Sequence, residues 1–204
     1  MTEQRSLAVI TEMIDRAQNN IQKGSGTSMI FWGCFIAFIA LMNVVLIYTL
    51  PNPTQSFWVW TLSILGFFIQ YFIESKIEKG KMVKTHIDRI VSSAWGIFAV
   101  SVAVFLVIIF SLGYGTGTYQ FFLLINPIIL LLIGVVEYIT AQVLRFKPFL
   151  WGAIGMFTGA LLSAAVLLIP GNYNSLQFVV LAVCMILGFV IPGVQLNKKA
   201  KSYV

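Results

Sequence analysis

Six apolar runs, at residues 29–50, 57–73, 90–112, 119–144, 149–169 and 176–194, constrain this 204-residue chain more than anything else in it. Each is about as long as the 17–25 residues a helix needs to cross the hydrocarbon of a bilayer. Within such a run the backbone must satisfy its own hydrogen bonds, and a helix does so inside one segment. A soluble fold would have to hide these runs from water. With 59% hydrophobic and 10% charged residues, against the roughly 25% charged of ordinary domains, little is left to cover them. The expected fold is therefore all-α: a polytopic membrane protein with six transmembrane helices.

The connections between the runs alternate in character. Residues 51–56, 113–118 and 170–175 carry no charge, whereas 74–89 hold Lys76, Lys79, Lys81, Lys84 and Arg89, and 145–148 hold Arg145 and Lys147. The N-terminal segment adds Arg5, Arg16 and Lys23, and the tail adds Lys198, Lys199 and Lys201. All 13 Lys and Arg thus fall on one side of the predicted bundle. Short loops rich in Lys and Arg stay in the cytoplasm. Both termini are accordingly expected there, with the chain multi-pass in the cell inner (plasma) membrane. The net charge of +6 is explained by this asymmetry, so nucleic acid is not an expected partner.

Residues 1–28 read as a cytoplasmic amphipathic helix and a Gly/Ser linker. Leu7, Ile10, Ile14, Ala17 and Ile21 recur at steps of three and four and share one helix face. Gly24-Ser25-Gly26 supplies the stop. The stretch contains acids and no continuous apolar core, unlike a cleavable signal. Residues 29–197 form the transmembrane domain, and 198–204 a basic tail.

The odd runs open alike, with Trp32-Gly33, Trp95-Gly96 and Trp151-Gly152. Each is followed by an uncharged turn and a Gln near a Phe: Gln55 and Phe57, Gln120 and Phe121, Gln177 and Phe178. This pattern suggests three tandem hairpins, repeated in parallel about an axis along the membrane normal. The small residues Gly33/Ala37, Ser92/Gly96 and Gly155/Gly159/Ser163 would then place the odd helices at the inner contacts.

Glu137 is the only acid within an apolar run, eight residues or about 12 Å of helix before Arg145. An ionisable side chain in hydrocarbon is costly to bury and hence a functional candidate. It reads as a candidate proton- or ligand-linked residue, or as a hydrogen-bonded contact with a helix carbonyl, Ser92, Ser93 or Thr140. In the first case Glu137→Gln should fold normally and change a pH response. Asn126 and Gln142 are candidates for the same site. Pro127 removes one helical hydrogen bond and is expected to free the carbonyl of Leu123 and kink the fourth run. Gln70, Gln142 and Gln195 would lie near the basic ends of the even helices. Lys76, Lys79, Lys81, Lys84 and Arg89 are candidate contacts for a partner or lipid.

Signatures of catalysis are missing. The chain has no Ser-His pair, HExxH or phosphate-cradling glycine loop, and His86 is its single histidine. Cys34 and Cys184 lie in apolar runs and read as small hydrophobes. No catalytic residue, metal site or cofactor is expected, and the protein is not read as an enzyme. Three hairpins suggest mitochondrial carriers, but the Pro-x-acid-x-x-base signature of that family is absent. In layout the chain is similar to uncharacterised small six-helix proteins of bacterial inner membranes, a likeness that implies no activity. The expected role is a non-enzymatic interaction or regulatory protein. Its cytoplasmic face would dock a protein partner or anionic lipid. The alternative is a small transporter or channel, a homo-oligomer with Glu137 near the pathway.

Overall fold

A computed structural model describes residues 26–78, 86–169 and 174–201. The described residues are mainly helical, joined by short turns, bends and single extended residues. Helix α1 runs Thr27–Thr49. A 3-10 segment, Pro53–Thr61, leads into α2, Leu62–Glu78. Helix α3 is His86–Thr116. A second 3-10 segment, Tyr119–Leu124, precedes α4, Ile125–Leu144. Helix α5 is Lys147–Val166. Helix α6, Leu176–Met185, passes through a π-helical turn, Ile186–Val190, into α7, Ile191–Lys201. These segments form six helices long and apolar enough to cross a membrane. The predicted amphipathic helix, the loop holding Lys79, Lys81 and Lys84, and part of the third uncharged turn lie outside the described residues.

The elements depart from the sequence reading at their ends. The charged stretch 74–89 is partly helical: Glu74–Glu78 continues α2, and His86–Arg89 opens α3. At 31 residues α3 is about 46 Å long, well beyond the roughly 30 Å hydrocarbon thickness, so its ends extend past the apolar layer or it tilts. Pro127 lies in the first turn of α4, just after the 3-10 segment. Its missing N–H therefore coincides with a change of helix type rather than a kink in mid-helix. Pro192 similarly lies at the second position of α7, just past the π turn.

Turns are closed by local chemistry. Gly117 takes φ +66° at the end of α3, a conformation glycine adopts without Cβ strain. Arg145 takes the same left-handed region, with φ 47°, although it carries a side chain. The Arg145 and Phe146 amides donate to the carbonyls of Gln142 and Ala141, at 3.4 and 3.1 Å, in the pattern of a Schellman cap. Phe146 is then buried against Phe149, ring edge to face at 5.3 Å, and Lys199 lies over its ring at 5.5 Å. This contact ties the end of α7 to the α4–α5 turn.

The core is made by α1, α4, α5 and the α6–α7 span. Helix α5 packs along α4 on one side and α6 on the other, and α1 packs against α6 and the π turn. Ala37, Ala40, Leu130, Ile133, Met156, Ala160, Leu181 and Met185 are buried together there. Small residues allow the close approach. A methyl on Gly33 would lie 2.7–3.0 Å from Val190, Phe189 and the Met185 carbonyl.

The outer position of α3, and the inner position of α4 and the sixth span, overturn the expectation that the odd helices are innermost. Helix α3 packs mainly on α4, with Trp95 touching Phe189 edge to face at 5.7 Å. Gly96 faces open space, and Ser92 and Ser93 are exposed. The Trp-Gly pairs thus serve different ends: Gly33 and Gly152 lie at tight helix contacts, whereas Trp151 is 70% exposed. The reason is connectivity of surface. Gly33 of α1 and Gly152 of α5 meet the sixth span, at Met185–Val190 and at Gly188, whereas Gly96 of α3 has no described residue opposite it.

Candidate functional site

Glu137 sits where α4, α5 and the sixth span cross. It is 0% exposed, because its turn of α4 faces inward through Ile133, Gly134, Val136, Glu137 and Thr140. Two glycines make room for its carboxyl. A methyl on Gly152 of α5 would fall on Glu137 Oε1, and one on Gly188 would lie 3.3 Å from Glu137 Oε2. Gly188 belongs to the π turn. Such turns are uncommon and concentrate at functional positions. The same methyl on Gly152 would also lie 2.9 Å from the Gly188 carbonyl oxygen. The carboxyl and a carbonyl of the π turn therefore converge on one small space bordered by α5.

The hydroxyl partners expected for Glu137 are elsewhere. Thr140 Oγ1 donates to the Val136 carbonyl at 2.8 Å, and Ser92 and Ser93 are exposed on α3. Among the described residues neither Glu137 oxygen has a hydrogen-bond partner. Nor do they include a cluster of His, Cys, Asp and Glu that could hold a metal. Chemically, the place offers one carboxylic acid beside a backbone acceptor, suited to giving or holding a proton.

Asn126 and Gln142 do not join Glu137. Asn126 is buried at the start of α4, eleven residues away or about 16 Å along the helix, and Gln142 is exposed. Gln195 is also exposed, while Gln70 is buried and donates to Glu74 Oε1 at 2.7 Å. No family model, curated protein or solved structure matches this chain.

Other buried polar groups lie toward the uncharged end. Ser163 Oγ donates to Gln177 Oε1 at 3.4 Å, joining α5 to α6, and Tyr48 and Ser175 share a hydrogen bond of 2.8 Å. Asn43 on α1 is 0% exposed, and its amide has no partner among the described residues. A polar residue within the first apolar run is itself a signal legible in the sequence. The part played by Gly152 and Gly188 had no such signal, because only packing shows which acid they face.

The described basic residues lie at the opposite end. Arg89, Arg145, Lys147 and Lys198 are all exposed. Lys76 lies in α2 near its end. Arg89 borders a groove of about 470 Å³ between α3 and α4, lined otherwise by apolar side chains and serines.

Proposed function

We propose that this is a non-enzymatic membrane protein that interacts through its basic face, docking anionic lipid or a cytoplasmic protein. The observation that carries this reading is the exposure of Arg89, Arg145, Lys147 and Lys198 at one end of the bundle. Cations at headgroup level attract anionic lipid by about 1 kcal/mol each. On this reading the basic end is cytoplasmic, the membrane is a bacterial inner membrane, and residues 3–23 form an amphipathic helix lying on its surface. The three hairpins are tandem units whose basic exits build that face.

The test is to reconstitute wild type and the triple variant Lys79→Gln/Lys81→Gln/Lys84→Gln in nanodiscs. Anionic lipid enriched around the protein is then measured, together with protein captured from cytosol. Both should fall in the variant. Equal enrichment and equal capture would sink the proposal.

The second reading, a small oligomeric transporter or channel, is favoured by Glu137 meeting a π turn in the core. It requires water to reach that carboxyl. Cysteines introduced at Ile133 and Gly188 would then react with a small polar thiol reagent from one side of the membrane. Complete protection of both would remove this reading.

A further inference from the structure

The groove between α3 and α4 has the shape and charge of a site for one phospholipid. On α3 it runs from Arg89 past Ser93 and Ile97 to Ser101, and α4 contributes Val135 and Ile139. Twelve residues of helix separate Arg89 from Ser101, which is about 18 Å. One leaflet of a 30 Å hydrocarbon layer is about 15 Å deep, so the groove is close to one acyl chain long. Its volume of about 470 Å³ lies within the roughly 300–1,000 Å³ of clefts that hold small ligands. The outer side is open: Ile97 is 66% and Val135 46% exposed.

Charge fixes the direction in which a lipid would lie. Arg89 is the one cation among the groove's lining residues and stands at the basic end. Arg89 is exposed, and no ion pair engages it among the described residues. Below it, Ser93 is the first polar group down the groove, within reach of the ester region of a lipid whose phosphate meets the guanidinium. Deeper, the walls are apolar apart from Ser101. Guanidinium binds phosphate in a planar, two-point fashion that an ammonium cannot copy. A zwitterionic headgroup would bring a cation of its own next to Arg89.

We propose that this groove binds a single anionic phospholipid of the basic-side leaflet, phosphate on Arg89 and one acyl chain between α3 and α4. The proposal rests on the docking reading above and narrows it to one lipid at one place. The helix pair explains why a site forms here. Helix α3 touches the rest of the bundle mainly through α4, and its side toward open space carries Gly96. Among the described residues the valley between the two helices is therefore left uncovered.

The experiment uses full-length protein in a mild detergent, offered phosphatidylglycerol or phosphatidylcholine and examined by native mass spectrometry. Wild type should retain one phosphatidylglycerol in preference to phosphatidylcholine. Arg89→Gln should weaken phosphatidylglycerol binding about five-fold, the effect of one cation near an anionic headgroup, and leave phosphatidylcholine unchanged. Ser93→Trp, a large ring at an exposed groove position, should reduce retention of both lipids. Gly96→Trp, on the same helix but outside the groove, should change neither and controls for folding. The site is overturned if Arg89→Gln binds phosphatidylglycerol as wild type does, or if Ser93→Trp retains both lipids fully. Loss of the preference in the Lys79/Lys81/Lys84 variant, with Arg89→Gln unaffected, would remove the groove site and leave the docking reading standing. Absence of any preference in wild type would overturn the groove site and the lipid half of the docking reading, leaving protein capture to decide the other half.

Discussion

Replacing Gly152 by alanine tests the crossing around Glu137 directly. The added methyl would overlap Glu137 Oε1 and lie 2.9 Å from both Glu137 Cδ and the Gly188 carbonyl oxygen. Comfortable contacts are about 3.5–4.0 Å, so α5 would have to move by about 0.5–1 Å from the π turn or push the carboxyl aside. The side chain could shift, but the Gly188 carbonyl is backbone and cannot. Overpacking of this kind costs about 1–3 kcal/mol. Part of that is hidden, because alanine is a better helix former than glycine by up to about 1 kcal/mol. Gly155→Ala, one turn away on α5 with nothing within 4 Å of its added methyl, has the same propensity gain without the clash. The difference between the two variants therefore isolates the clash at about 1–3 kcal/mol. Unfolding in mixed micelles of rising sodium dodecyl sulfate fraction measures it. Combining Gly152→Ala with Glu137→Ala should recover part of the loss, with a coupling of at least about 0.5 kcal/mol between these touching positions. If Gly152→Ala and Gly155→Ala unfold together, the carboxyl does not sit where the reasoning requires.

Further outcomes follow from the same packing. Gly33→Ala should destabilise by about 1–3 kcal/mol, since its methyl meets the Met185 carbonyl and two α6–α7 side chains, while Gly96→Ala should be neutral or mildly stabilising; the micelle titration checks both. Arg145→Gly should stabilise by about 1 kcal/mol, relieving the left-handed backbone of a residue with a Cβ, and a loss instead would mean the side chain contributes more than the strain costs. Tyr48→Phe should cost about 0.5–1.5 kcal/mol through loss of the bond to Ser175, and should cost nothing further in a Ser175→Ala background. In a variant lacking Cys34 and Cys184, cysteines at Asn52 and Thr118 should react with an impermeant thiol reagent from outside intact cells, and one at Lys198 should not. Reaction of all three from the same side would contradict the six-span topology.

Glu137 shows how far the candidate site was legible. That an acid lies eight residues inside the fourth run follows from counting to Arg145; that it faces the neighbouring helices, at 0% exposure, is decided by packing, since Tyr138 beside it is 45% exposed. The neighbours read for it did not follow, because a hydrogen-bond partner depends on which face of α4 meets which helix. Thr140 bonds within its own helix, and the serines of α3 lie on another side of α4. Asn126 and Gln142 share a helix with Glu137 but neither its level nor, for Gln142, its burial.

The same division runs through the whole chain. Length and hydropathy of each run determine six helices, since in hydrocarbon a segment must satisfy its own backbone bonds, and that requirement is local. The one-sided placement of Lys and Arg is likewise local, a count loop by loop. Which helices are inside is not local. Trp-Gly occurs at the start of α1, α3 and α5, yet Gly33 and Gly152 lie against the sixth span while Gly96 faces open space. Inside a bilayer, lipid is as apolar as leucine, so hydrophobicity does not choose a helix's neighbours and close packing of small residues does. The π turn at Ile186–Val190 is decided at the same level. It sets Gly188 beside a carboxyl that lies some fifty residues earlier in the chain, a meeting that only the tertiary fold brings about.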